Sequence, residues 1–331
     1  MRITLPFLAV ALTIGLSAPS AFADAKDLAE QIVARSGLSL GYDEDAKTFV
    51  FIGKSQRIVP DISDAKTLMK LREEESKLGM LKAKAEILKL LVRDVSARSV
   101  ATLFVSDGVT VTETSSVVDI LSHLVLHGFQ TICTAESYEN GVFQTAVAVG
   151  WSEKSEKTAR AALSSDSGRP ADESPEEPSP EWEKWAQNQD LSAMVVSRSF
   201  EDSNGIRRYV GIGFADVDGK TGKALTDART LAFSKAKQNL LYALHSDAEA
   251  RTLAIQSVKT TTADGDSETE SVRKSVRQLM QECKSMFLPA CGEPVFETTT
   301  LHPITGRKIY VCLAGVEPDD LAEMKLLENN K

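Results

Sequence analysis

Residues 83–101 read AKAEILKLLVRDVSARSVA, and residues 236–254 read AKQNLLYALHSDAEARTLA. Aligned without gaps, the two share Ala83/Ala236, Lys84/Lys237, Leu88/Leu241, Leu91/Leu244, Asp94/Asp247, Ala97/Ala250, Arg98/Arg251 and Ala101/Ala254. Chance would match about one position in such a window, so the chain is read as carrying one module twice. The flanks repeat as well. An extended segment rich in aromatic and β-branched residues, ending on glycine, precedes each helix: TFVFIG at 48–53 and RYVGIGF at 208–214. Such composition suits a strand with a buried face.

Downstream of each long helix a second amphipathic segment is expected, at 116–124 and at 271–280. Val117, Ile120, Leu121 and Leu124 recur at helical spacing, as do Val272, Val276, Leu279 and Met280. Each copy then closes in a hairpin. Asn140-Gly141 turns into VFQTAVAVG at 142–150, and Thr305-Gly306 turns into RKIYVCLAG at 307–315. Glycine takes positive φ without steric cost, which marks both dipeptides as turns. The fold class is therefore α+β, with two tandem modules, each a small antiparallel sheet packed by a long helix and a second, shorter one. Placing the helices on one face is the economical arrangement.

The expected organisation is a signal peptide at 1–23, an N-terminal helix and lead-in at 24–46, and copy one at 47–151. An acidic linker follows at 152–192, then copy two at 193–318 and a tail at 319–331. The linker carries SSDSGRP and DESPEEPSP, too little apolar surface to offset chain entropy. Within the flanking stretches, Leu28, Ile32 and Val33 suggest a helix from Ala25 to Arg35, and EWEKW at 181–185 a short helix that docks two tryptophans.

The leading segment sets the expected compartment. Arg2 precedes an apolar run from Leu5 to Leu16, and Ala21-Phe22-Ala23 supplies small residues at −3 and −1 of a cut before Asp24. This is the form of a secretory signal peptide, cleaved between Ala23 and Asp24 to give a periplasmic or secreted protein. No cysteine near the cut would take a lipid anchor, and no apolar run reaches the length of a membrane span. The net charge of −9 leaves no basic face for nucleic acid. A negative charge of this size serves solubility.

The stretch ALTDARTLAFSKA, residues 224–236, resembles the Ala-Arg-x-x-Ala-x-x-x-Ala helix of lipoprotein-20/FlgT-type domains. Those are small exported bacterial domains in which a helix packs on a short antiparallel sheet. The resemblance covers about 100 residues of copy two, with Gly211-Ile212-Gly213 and Tyr310-Val311 as its strands. Copy one departs from it: Ser76 and Gly79 stand where copy two has Arg229 and Ala232. The resemblance implies a non-enzymatic role in the envelope or an appendage. Independently of any family, Ala228, Ala232 and Ala236 share one helix face and let the helix approach a sheet closely.

Candidate chemistry is sparse. Asp119, His123 and His127 are spaced at i, i+4 and i+8, a spacing that would let two histidines and a carboxylate meet a metal ion. The pattern lacks the glutamate of the H-E-x-x-H zinc motif, and copy two has Lys274 and Gln278 at the matching places. Near Asp216, Gly219-Lys220-Thr221 mimics the end of a phosphate-binding loop, but Phe214 stands where its first glycine is required. A calcium loop starting at Asp216 and Asp218 fails on Lys220, so a surface turn is expected. The acidic run 264–270 is read as solvated. Four cysteines are present: Cys283 and Cys291 are the disulfide candidate, while Cys133 and Cys312 are expected as buried thiols. No cofactor is implied. The expectation is an exported binding or scaffolding protein whose partner is an envelope protein or a further copy of itself. The alternatives are an exported metal-dependent hydrolase, or a small-ligand-binding protein with its site between the modules.

Overall fold

In a computed structural model the chain is described at residues 24–93, 126, 128–157, 180–192, 195, 197–201, 207–219, 221–259, 274, 278 and 293–316. The second amphipathic segments at 116–124 and 271–280 therefore lie outside the described residues, except for isolated helical positions Lys274 and Gln278.

Copy one begins with α1 (Ala25–Arg35), then β1 (Gly41–Asp43), β2 (Thr48–Ile58), α2 (Ala65–Arg93), β3 (Gln130–Glu139) and β4 (Val142–Trp151). Copy two runs α3 (Pro180–Gln187), β5 (Arg198–Glu201), β6 (Arg207–Asp216), α4 (Gly222–Lys259), β7 (Phe296–Leu301) and β8 (Lys308–Val316). The order is the same: short helix, short strand, long strand, long helix, hairpin. Both sheets are four-stranded and antiparallel, β1-β2-β4-β3 and β5-β6-β8-β7. The fold is α+β with two modules, and the repeat extends upstream of the strand at which the sequence placed its start.

Local chemistry explains the elements. Asp24 caps α1, its Oδ1 accepting from Lys26 N at 3.1 Å. Asn140 (φ 50°) and Gly141 (φ 75°) form the left-handed pair that a two-residue hairpin needs. Thr221 Oγ1 accepts from Ala224 N at 3.2 Å and starts α4.

The helices do not gather on one face. Ala25, Ala29 and Val33 of α1 pack on Val50, Ala146 and Ala148, while α2 covers the opposite face through Val147, Val149 and Trp151. In copy two, Trp182 and Ala186 of α3 cover Val210, Ile212, Val311 and Leu313, and α4 covers Cys312, Ala314 and Val316. Each sheet is a filling between helices. The central strands β4 and β8 consequently bury both faces, as continuous rather than alternating apolar runs do.

The close approach of helix to strand tests the repeat. A Cβ on Gly53 would fall 1.8 Å from Gly79 O and 2.6 Å from Ala83 N. A Cβ on Gly213 would fall 2.0 Å from Ala232 O and 2.3 Å from Ala236 N. Gly79 and Ala83 are the residues that the ungapped alignment sets against Ala232 and Ala236. The two helices therefore sit on equivalent glycines in equivalent register.

The copies are fused. Side chains of α2, β4, α4 and β8 form one continuous core, from Leu78, Leu81, Leu88 and Trp151 to Leu240, Tyr242 and Val316. Among the described residues no helix is long and apolar enough to cross a membrane.

Candidate functional site at the junction of the copies

The stretch Leu71-Arg72-Glu73-Glu74-Glu75-Ser76-Lys77-Leu78 lies in the middle of the molecule, and every residue of it is buried. A sequence of this polarity would ordinarily face water. Here α2 runs between both sheets and α4, so its charged groups meet partners from both copies.

Arg72 Nε donates to Glu136 of β3, at 2.9 Å to Oε1 and 2.7 Å to Oε2, and Nη2 donates to Ser192 O at 2.9 Å. Its guanidinium also stands 5.0 Å from the ring centre of Phe214 on β6. Lys77 pairs with Glu73 at 3.0 Å and lies 4.8 Å from the Tyr242 ring centre, on α4. Lys235 of α4 approaches the other oxygen of Glu73 at 3.9 Å. On the far side, Arg57 of β2 bridges Glu74 (2.9 Å) and Glu75 (2.7 Å), and Ser55 donates its hydroxyl to Glu75. Buried charges are tolerable only when so compensated, since breaking such a pair strands a charge away from water.

Beside this belt the two sheets meet edge to edge, β3 against β5. Thr131 Oγ1 donates to Ser197 O at 3.3 Å, and a bulge between Thr131 and Cys133 turns the strand there. Arg207 Nη1 donates to Ser199 Oγ at 2.9 Å and, with the Gln130 amide oxygen turned toward it, to Gln130 at 3.0 Å. Ser197 Oγ donates to Asn239 O at 2.6 Å, and Asn239 Nδ2 to Ile212 O at 2.6 Å. A last link is Arg307, which holds Asp216 through Nη2 at 2.8 Å and reaches Ser63 O of copy one at 3.3 Å.

His302 closes the β7–β8 turn. Its Nδ1 accepts from Ile304 N at 3.2 Å and Thr305 N at 3.3 Å, which leaves the proton on Nε2. Burial, and then the Arg72 charge, push its pKa down to about 3, so the ring is neutral. Among the described residues, neither His302 Nε2 nor Arg72 Nη1 meets a protein acceptor. Burial also raises the two described thiols, Cys133 to about 11 and Cys312 to about 12. A thiolate is the nucleophile, so neither is primed for attack at neutral pH. Both are buried and unbridged, as expected.

Of the residues singled out in the sequence, Asp119, His123, His127, Cys283, Cys291 and the run 264–270 lie outside the described residues. Among the described residues, no group of three or more His, Cys, Asp or Glu side chains could hold a metal ion. After Asp216 the chain leaves β6 and bends at Gly219, φ 107°. Asp216 itself pairs with Arg307. The sequence reading missed the belt, because a charge run carries no local mark of burial. Its one available sign was that apolar and charged residues of α2 do not separate onto two faces.

No protein family matches the chain, and no curated protein does. Among solved structures it is similar to the crystal structure of a hypothetical protein, FTT1539c, from Francisella tularensis. The TM-score is 0.57 at 13% identity, over 94% of this chain and 97% of that one. The likeness is one of fold. It spans both copies, so it extends to the fused arrangement rather than to one module.

Proposed function

We propose that the chain is an exported envelope protein, periplasmic or secreted, acting as a binding or scaffolding component rather than through catalysis. The observation that carries this reading is the belt on α2. Its carboxylates and cations are engaged with one another within copy one, and Lys235, Phe214 and Tyr242 of copy two close on them, an arrangement that fixes geometry and leaves no carboxylate of the belt poised as a base. Export is supported from within the fold. Asp24, the residue that cleavage after Ala23 would expose, caps α1 and pairs with Lys54 at 2.5 Å. The resemblance of 224–236 to lipoprotein-20/FlgT-type domains points the same way.

Two measurements test the reading. N-terminal sequencing of the protein recovered from the envelope fraction is expected to begin at Asp24. In-cell cross-linking from exposed positions is expected to yield discrete protein adducts. Retention of residues 1–23 in the cytoplasmic fraction, or stoichiometric zinc lost on replacing His123 and His127, would overturn it in favour of another compartment or the metal-dependent alternative.

A further inference from the structure

We propose that the seam between the two copies binds a small carboxylate, held by the guanidinium of Arg198. The inference goes beyond the scaffolding reading and is tested apart from it.

Arg198 opens β5, the strand that meets β3 where Thr131 donates to Ser197 O. It pairs with Val210, so its side chain leaves the sheet on the face that Val210 occupies. Val210 belongs to the apolar cluster of Trp182, Ala186 and Val195. Across the seam, Cys133 of β3 belongs to the cluster of Ala29, Ala146 and Ala148, and its thiol donates to Ala29 O at 3.8 Å. The Arg198 charge acts on that thiol, which places the guanidinium where the two apolar clusters adjoin.

Only 9% of Arg198 is exposed. Its Nε and Nη1 are buried and, among the described residues, meet no acceptor, and no described carboxylate pairs with it. Burial pushes its pKa down to about 10, so the group is still a cation at neutral pH. Arg72 and Lys77, also buried, each hold a carboxylate. Arg198 departs from that pattern, and a lone charge withdrawn from water is costly. The repeat shows that the fold does not require it. Val50 is to copy one what Val210 is to copy two, and it faces Gly41 where Val210 faces Arg198. Copy one forms the same strand pair with no side chain at that place, so the arginine answers to the seam.

The surroundings select the ligand. One cation among apolar side chains matches one negative charge, and the planar guanidinium donors match a carboxylate. The apolar clusters suit a short hydrocarbon body, and a low dielectric strengthens the pair.

The test follows the melting temperature of the purified full-length chain as acetate, chloride or phosphate is raised at matched ionic strength. Acetate is expected to give a saturable rise, larger than that from either other anion. Arg198→Met is expected to lose that rise and, without acetate, to melt at or above wild type, since it removes an unpaired buried charge. Arg198→Lys keeps the charge without the planar donors and should need more acetate for the same shift; it carries the comparison if the methionine variant does not fold. Arg229→Ala, an exposed arginine on α4, should keep the full rise. The inference is overturned by a wild type without a saturable acetate shift, by equal or larger shifts from chloride or phosphate, or by Arg198 variants that respond as wild type does. Each of these leaves the scaffolding reading to its own tests, N-terminal sequencing and cross-linking.

Discussion

Helices α2 and α4 descend from the same stretch of repeated sequence, yet they carry opposite burdens. The described part of α2 between Leu71 and Leu81 is buried on all sides, whereas the first half of α4 buries only Ala228, Ala232, Ala236 and their neighbours and exposes Leu225 and Leu231. The difference accounts for the departures of copy one from the alanine–arginine pattern of copy two. Arg229 reaches out from α4 to Glu293 and Glu297, whereas Ser76 at the matching place has no exposed surface. An arginine at residue 76 would have no route to water. Copy two places two glycines on the strand, Gly213 under Ala232 and Ala236 and Gly211 under Ala236 and Leu240; copy one has Phe51 and Gly53 at those strand positions and places its second glycine, Gly79, on the helix instead. Duplication preserved the crossing while the central position of α2 changed how it is made.

The largest effect should come from the centre. Arg72→Ala leaves Glu136 buried without its cation and is expected to cost about 3–5 kcal/mol in urea unfolding. The comparison sharpens if Arg72→Met with Glu136→Leu recovers most of that loss, since a buried pair often matches an apolar pair of similar volume. A loss below about 1 kcal/mol in the single variant would mean that α2 is not the sealed centre described above.

Next come the glycine crossings. Gly53→Ala and Gly213→Ala each drive a methyl into helix backbone, at 1.8 and 2.0 Å, where no flexible side chain can yield. Both are expected to cost about 3 kcal/mol, the upper range for overpacking. Gly79→Ala meets Gly53 O at 2.9 Å and Val147 Cγ2 at 3.2 Å, and it gains about 1 kcal/mol of helix propensity, so its net loss should be smaller. Thermal melts of the three variants decide the order.

These cases show what was legible in the sequence. The strands carrying Gly53 and Gly213, the alanine face at 228–236 and the Asn140-Gly141 turn announced themselves because their constraints are local, although the strands run on to Ile58 and Asp216 instead of ending at the glycine. So did α1, whose bounds the spacing predicted, and the helix around Trp182. Their places in the architecture did not. That α1 and α3 cover the outer sheet faces depends on contacts with Val50 and Val210, distant in sequence. Arg72 finds Glu136 and Ser192 across 64 and 120 residues, so no window on α2 could name the partners of its charge run; the mixing of charged and apolar residues around the helix was the sole local sign that the run is not a solvated face.

A pH effect tests the same centre from its edge. The pKa of His302 falls from 6.5 to about 3 on folding, so below about pH 6.5 the unfolded chain binds a proton that the folded one refuses. Stability that His302 leaves intact at pH 7 is lost progressively as the pH falls toward 3. His302→Gln should flatten that part of the stability–pH curve in urea titrations. A curve unchanged by the substitution would show that the ring is not held neutral beside Arg72.

The smallest effect belongs to the exposed side of α4. Arg229 bridges Glu297 at 2.7 Å and Glu293 at 3.1 Å, and its partners hold its pKa above the ordinary arginine value. In geometry the bridge rivals Arg72–Glu136. In solvent it should not: water screens the attraction, and either partner left alone remains hydrated. Arg229→Ala is therefore expected to cost less than about 1 kcal/mol, and raising salt should reduce even that. Measured side by side in the same urea series, Arg72→Ala and Arg229→Ala separate burial from ion-pair geometry, because both remove an arginine from close carboxylate contacts at related helices. Equal losses would mean that geometry rather than burial governs, and the contrast between the two copies would lose its physical basis.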